Sequence, residues 1–274
     1  MATSAEAGGH GLPPQVEPDL TGELEVVGRI SQSSNMALLC RLAGSDRHVI
    51  YKPVRGERPL WDFPDGTLAG REVAAHLVSR LGGWDLVPPT VLREGPLGPG
   101  SVQLWIGDPF DPVADDAVVD LVPAGRVPPG WLEVFDSETA SGQDVTVVHA
   151  DLPDVRSLAV LDAVMNNSDR KGSHCLRDEA GRLWAIDHGV CFHASPKLRT
   201  VLWGWAGAPL PEGEIDRLGR LLDALDQDAV GTALEVLLPE DDVAALAQRT
   251  RALLRSRRHP LPAPGWPSVP WPPL

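Results

Sequence analysis

The chain has 274 residues, 43% of them hydrophobic, which is enough to bury an ordinary core in one large domain or in two lobes sharing a cleft. Its 24 Lys and Arg against 38 Asp and Glu give a formal charge of −14, which disfavours unaided binding to nucleic acid or to an anionic membrane and leaves room only for a local basic patch. Three cysteines, Cys40, Cys175 and Cys191, lie without C-x-x-C spacing and read as buried small hydrophobes of a reducing compartment. No apolar run approaches the roughly eighteen residues of a membrane span, and the first twenty residues lack the charged and apolar regions of a signal sequence. The expectation is a cytoplasmic protein without stable membrane insertion.

Residues 1–20 are rich in Gly, Pro and small side chains and read as a flexible tail. Then come three short apolar or β-branched stretches, "ELEVVGRI", "MALLCRL" and "RHVIYKPV", the last two joined by the turn "AGSD"; they predict three strands. Gly28 and the loop "RISQSSN", with Ser33, Ser34 and Asn35, separate the first two. After Lys52 a polar, proline-containing excursion leads to "TLAGREVAAHLVSRLGG", a helix that Thr67 can cap and Gly82 and Gly83 can close, and that carries Glu72. "PPTVLREG" and "GSVQLWIGD" predict a second antiparallel pair.

Residues 109–152 are acidic and punctuated by Pro and Gly, and read as mixed helix and loop. "DVRSLAVLDAVMNN" sets Val155, Leu158, Ala159, Leu161, Asp162 and Met165 at helical spacing, so a buried helix runs into a loop at Asn166. "HCLRDEAGRLWAID" reads as strand, turn and strand ending on Asp187. Three amphipathic helices follow Pro209. The closing segment 259–274 cannot extend a helix because its prolines lack the N–H; it is either a free Pro/Trp tail able to recruit a protein partner or a strap packing Trp266 and Trp271 on the second lobe.

A glycine and serine loop, a lysine ending the third strand and a glutamate on the next helix suit a nucleotide: a phosphate-binding lysine needs a counter-charge to hold its flexible stem. Taken alone, each of these residues is more commonly a surface or turn residue, and it is their order that carries weight. "YKP" around Lys52, "REVAAHLVSRL" around Glu72, "NNSDRKGSH" from Asn166 to His174 and "IDHG" around Asp187 resemble the phosphatidylinositol 3-/4-kinase-like branch of the protein-kinase-like superfamily, including HipA-like bacterial kinases. Residues 20 to 260 also resemble an actinobacterial family of phosphatidylinositol-kinase-like proteins.

That resemblance implies an α+β, two-lobed protein-kinase-like fold: a β-rich N-lobe over 21–107 with one helix, a larger, mostly helical C-lobe over 108–258, and the tail over 259–274. It implies an ATP-dependent phosphotransferase acting on an unidentified hydroxyl acceptor, with Mg²⁺ or Mn²⁺; nucleotidyl transfer from an inverted ATP pose is equally compatible. Asp169 would orient the acceptor and take its proton, Asp187 would be the principal metal ligand, His174 would stand where the family has a metal-binding asparagine, and Lys52 would hold phosphates, steadied by Glu72. Gly28, Ser33, Ser34 and Asn35 would cover the phosphates, and Gln103, Leu104, Trp105 and Ile106 would form the inter-lobe hinge facing adenine. Lys171 would either touch the γ-phosphate or offset Asp169. Imidazole at 174 suits Mn²⁺ better than Mg²⁺. The acidic balance favours a protein or small-molecule acceptor over a membrane lipid, for which basic residues at the cleft entrance would be required. Other readings are a nucleotide-sensing pseudokinase, a metal-dependent hydrolase using Asp169, His174, Asp187 and His188, a zinc site in "DHGVCFH", and a stacking surface made by the tryptophans of "WGW".

Overall fold

The computed structural model describes residues 19–30, 35–58, 60–63, 68–110, 117–139, 141–265 and 267–274. The expectations placed on Ser33, Ser34, Thr67, Trp266 and most of the N-terminal tail lie outside these residues.

Five strands form one antiparallel sheet: β1 (Leu24–Arg29), β2 (Leu38–Leu42), β3 (His48–Pro53), β4 (Thr90–Gly95) and β5 (Gly98–Leu104), in the order β1-β2-β3-β5-β4. Alternation makes β3 work: Val49 and Tyr51 point into a small apolar core with Leu24, Cys40, Leu42 and Val102, which leaves Ile50 and Lys52 on the other face. Gly100 opposes Pro53 in the register, where a Cβ would lie 2.5 Å from the Lys52 carbonyl oxygen, so only glycine lets β5 come this close to the strand end that carries Lys52.

Helix α1 (Leu68–Gly82) links β3 to β4. With Thr67 outside the described residues, the observed anchor of its first turn is Glu57, whose carboxylate accepts the N–H groups of Leu68 at 3.0 Å and Ala69 at 2.9 Å and so stabilises the positive end of the helix. Its Ala74, Ala75 and Val78 belong to the large core and not to the small one.

Residues 109–152 depart from the mixed helix and loop read from the sequence. They hold a three-stranded antiparallel sheet, β6 (Val119–Pro123), β7 (Trp131–Glu138) and β8 (Asp144–Ala150), in the order β6-β8-β7. The central strand β8 is buried on both faces from Val145 to Ala150, which removes the alternation that marks a half-buried strand, while β7 is only partly buried and is broken by a bulge between Glu133 and Phe135. The C-terminal half is therefore helical only beyond this sheet.

There, α2 (Pro153–Met165) opens with proline at its first turn and is closed by Asn166 at φ 52°, a left-handed position that asparagine tolerates. The hairpin β9 (Cys175–Arg177) and β10 (Leu183–Ala185) follows as expected, then α3 (Glu212–Leu225), α4 (Asp228–Glu235) and α5 (Glu240–Ser256). The result is an α+β chain with a β-rich N-terminal lobe and a larger C-terminal lobe that ends in helices. The closing segment is docked: the Ser268 carbonyl accepts the Thr200 N–H at 3.0 Å and the Trp203 indole N–H at 2.7 Å, and Pro270 and Pro273 are buried. Trp271 is left exposed. No helix among the described residues is long and apolar enough to cross a membrane.

Candidate functional site

The faces of β3 and α1 and the loops that follow α2 and β10 meet in a cleft of about 410 Å³, whose lining includes Lys52, Glu72, Asp169, Asp187, Asn35 and Arg199. The Lys52 ammonium lies 2.9 Å from Asp187 Oδ1 and is paired at the same time with Glu72 Oε1. The other oxygen of Glu72, a buried side chain, accepts the His188 backbone N–H at 3.0 Å. A single carboxylate thus fixes both the lysine and the loop that presents Asp187. Burial alone would weaken the Lys52 proton, but Asp187 and Glu72 outweigh it and hold the group above its ordinary range; Lys52 in turn holds the Asp187 carboxyl well below the ordinary carboxylate range. Asp187 sits at φ 62°, an uncommon conformation for a residue with a Cβ, and its carboxylate remains half exposed toward the cleft.

Asp169 is aimed by a relay. The Asn167 side chain accepts the Asp169 N–H at 3.0 Å and donates to Asp162 Oδ1 at 3.0 Å, and Asp162 is fully buried in α2. Burial raises the Asp169 pKa, and Lys171, 3.3 Å away, partly offsets this. Of the two roles open to Lys171, pairing with Asp169 is the one with a contact behind it.

Arg170, with no exposed surface, clamps the two acidic loops from beneath. It binds Asp162 at 2.9 Å through Nε, the carbonyls of His174 and Ile186 at 3.2 and 3.0 Å, and His188 Nε2 at 2.8 Å. Arginine only donates, so His188 Nε2 is an acceptor and its proton is on Nδ1. Burial holds His188 neutral. This removes His188 from the four-residue hydrolase set, since its free lone pair is spent on Arg170. The zinc reading of "DHGVCFH" fails for a related reason: Cys191 and His188 have no exposed surface, burial pushes the Cys191 thiol up, and His193 Nδ1 accepts the Ser195 N–H at 2.9 Å.

His174 Nε2 lies 3.5 Å from Asp187 Oδ2 and burial lowers its pKa to about 4, so the ring is neutral near pH 7 and can serve as a ligand or donor at that position. Among the described residues no group of three His, Cys, Asp or Glu is arranged to hold a metal ion by itself. A magnesium ion carried by a nucleotide needs no such cage, since one or two carboxylates with phosphate oxygens and water complete its shell, and Asp187 and Asp169 at the cleft suit that chemistry.

The loop and hinge residues are placed less simply. Gly28 stands inside β1 beside a bulge and not in the loop proper, with open space around the position of a Cβ. Asn35 does line the cleft, but its side-chain oxygen accepts the Arg58 N–H at 2.9 Å and so tethers the segment after β3. The Gln103 side chain is buried and donates to Thr90 Oγ1 at 2.8 Å, away from the cleft lining. The N–H groups of Leu104 and Trp105 are likewise committed, to the carbonyls of Pro89 at 2.9 Å and His48 at 3.0 Å, because the end of β5 is stitched to its neighbours. Ile106 lies just past that stitching. The tryptophans of "WGW" do not form an open stacking face: Trp205 is buried against His149 and Trp203 bonds the closing segment.

Asp162, Arg170 and Arg199 take their places at the site without a role assigned from the sequence. An acid among the apolar positions of α2 was a visible sign for Asp162, since a buried carboxylate demands a partner. Nothing in "KLRT" marks Arg199.

No family model matches the chain. A protein of Mycobacterium tuberculosis, Protein Rv2133c, is 46% identical over 258 residues, covering 92% of each chain. The chain belongs to the family of that protein. Among solved structures, the crystal structure of the Helicobacter pylori proinflammatory kinase CtkA matches over 87% of this chain and 93% of that one, with 13% identity and a TM-score of 0.42.

Proposed function

We propose that this family member is an ATP-dependent phosphotransferase of the phosphatidylinositol 3-/4-kinase-like type, which moves the γ-phosphate to a hydroxyl acceptor. The observation that carries this reading is the ammonium of Lys52 held between Glu72 and Asp187 on the wall of a cleft that also contains Asp169. Phosphoryl transfer asks little covalent chemistry of a protein and much positioning and charge stabilisation, which is what this set of groups offers.

In this reading Lys52 would hold phosphate oxygens and Asp187 would be the principal ligand of a nucleotide-borne metal ion. A Mg²⁺ or Mn²⁺ ion brought with the nucleotide supplies the charge that offsets the transferring phosphoryl group. Asp169 orients the acceptor: the acceptor oxygen forms its bond to the γ-phosphorus, the bond from that phosphorus to the β-bridging oxygen breaks with its electron pair leaving on ADP, and the acceptor proton passes to the Asp169 carboxylate. Burial raises its pKa, which makes it a better proton acceptor than an ordinary aspartate.

The test is a matrix of Mg²⁺ and Mn²⁺ against ATP and GTP, read for nucleotide binding, self-modification and hydrolysis. Metal-dependent nucleotide binding with turnover supports the reading. Binding without turnover under either ion supports the pseudokinase reading, and absence of nucleotide binding ends both.

A further inference from the structure

The wall of the cleft beside Asp169 has an asymmetry of charge. Every carboxylate on it is already engaged: Glu57 with the N–H groups that open α1, Asp62 with Lys197 at 2.8 Å, Glu72 with Lys52 and His188, Asp169 with Lys171, and Asp187 with Lys52. Two guanidinium groups on the same wall, Arg58 and Arg199, have no hydrogen-bonded or ion-paired partner among the described residues.

Arg199 is the more telling of the two, because its Nε is buried and unpaired, a condition costly to maintain unless something else satisfies it. It is also held in place. Its N–H donates to the Asn167 carbonyl at 2.9 Å and its carbonyl accepts the Arg170 N–H at 3.0 Å, so the backbone of Arg199 is laced to both sides of Asp169. Arg199 is close enough to Asp169 to oppose the rise in that carboxyl's pKa, yet no ion pair joins them.

We infer that the acceptor carries an oxyanion, a phosphate or a carboxylate, that Arg199 receives through its guanidinium fork with Arg58 at the rim, which sets the acceptor hydroxyl against Asp169. The inference rests on the phosphotransferase reading and names the class of its acceptor. A planar fork matches an oxyanion in two parallel hydrogen bonds, and on this wall the fork of Arg199 stands beside Asp169 with its Nε buried and unpaired among the described residues. A soluble metabolite and a lipid headgroup present the same chemistry.

The test uses the full chain saturated with ADP and Mg²⁺, so that the lysine side of the cleft is filled. Glycerol 3-phosphate, glycerate and glycerol are titrated by calorimetry, and vesicles of phosphatidylcholine with or without a phosphatidylinositol phosphate are tested by co-sedimentation. The expected result is binding of an anionic probe and not of glycerol, weakened at least about tenfold more than ADP by Arg199→Gln and only partly restored by Arg199→Lys. Soluble probes alone indicate a metabolite, and vesicles alone a headgroup. Equal binding by wild type and Arg199→Gln, indifference to the anion, or an equal loss of ADP affinity would overturn the inference while leaving the phosphotransferase reading in place. Failure of ADP to bind the wild type would instead remove that reading itself. Arg58→Gln, at an exposed position, gives a second variant should Arg199→Gln fold poorly.

Discussion

Lys52 and Asp187 stand 135 positions apart in the chain and 2.9 Å apart in space. That contact joins the end of β3 to the loop after β10, so it reports directly on whether the two lobes are closed on each other. On the proposed phosphotransferase reading, replacing Lys52 by Met should lower phosphate transfer by on the order of a hundredfold or more, because bound phosphates would lose their fixed cation. It should also cost about 1–3 kcal/mol of stability by leaving buried Glu72 without its counter-charge. Turnover assays together with denaturant melts measure the two effects.

Asp187→Asn and Asp169→Asn separate chemistry from folding. Both side chains face the cleft, and both substitutions keep shape, so melting temperatures should stay close to wild type while phosphate transfer disappears. Undiminished turnover in both variants would remove the roles assigned to them.

Arg170 and Asp162 make a pair with no exposed surface, and breaking such a pair from one side strands a buried charge. Asp162→Ala should therefore destabilise the protein by about 3–5 kcal/mol, seen as a large fall in melting temperature, and should disturb both acidic loops. A melting temperature near wild type would show that the clamp is not needed to hold them.

Acid should weaken the fold before ordinary carboxylates titrate. Burial lowers the folded-state pKa of His174 and His259 to about 4 from 6.5, and His149 and His188 shift the same way. Between these values the unfolded chain binds more protons than the folded one. Stability is thus full above about pH 6.5 and falls as pH drops toward 4, by roughly 1 kcal/mol per unit for each of His174 and His259. Denaturant midpoints at neutral and mildly acidic pH check this. Activity should show its own acid limb, at a pH above that of an ordinary aspartate, since Asp169 must be ionised and its pKa is raised.

The closing segment should matter to the loop that bears Lys171 and His174. Gly172 donates its N–H to the Pro273 carbonyl at 2.8 Å, and a Cβ at position 172 would lie 2.6 Å from Leu274 Cδ2 and 3.0 Å from Val119 Cβ. Deleting residues 267–274 should lower the melting temperature by several degrees and reduce turnover, whereas Trp271→Ser, at an exposed position, should do neither. Equal behaviour of the two variants would mean that the strap does not support the loop.

Local chemistry made much of this molecule legible. The strand ending on Lys52, the helix bearing Glu72, the buried helix that stops at Asn166, the hairpin leading to Asp187 and the three closing helices follow from alternation, helical spacing and breakers, signals written within a few residues of each other. The sheet of 119–150 escaped because a central strand buried on both faces and an edge strand whose burial pattern a bulge interrupts lack the alternation that identifies either. Tertiary structure alone decided which charges are spent and which are free. It gave Gln103 to Thr90, His188 to Arg170 and the closing segment to Gly172, and it left the Arg199 side chain without a partner among the described residues. Such assignments depend on distances between residues remote in sequence, and only the folded chain sets those distances.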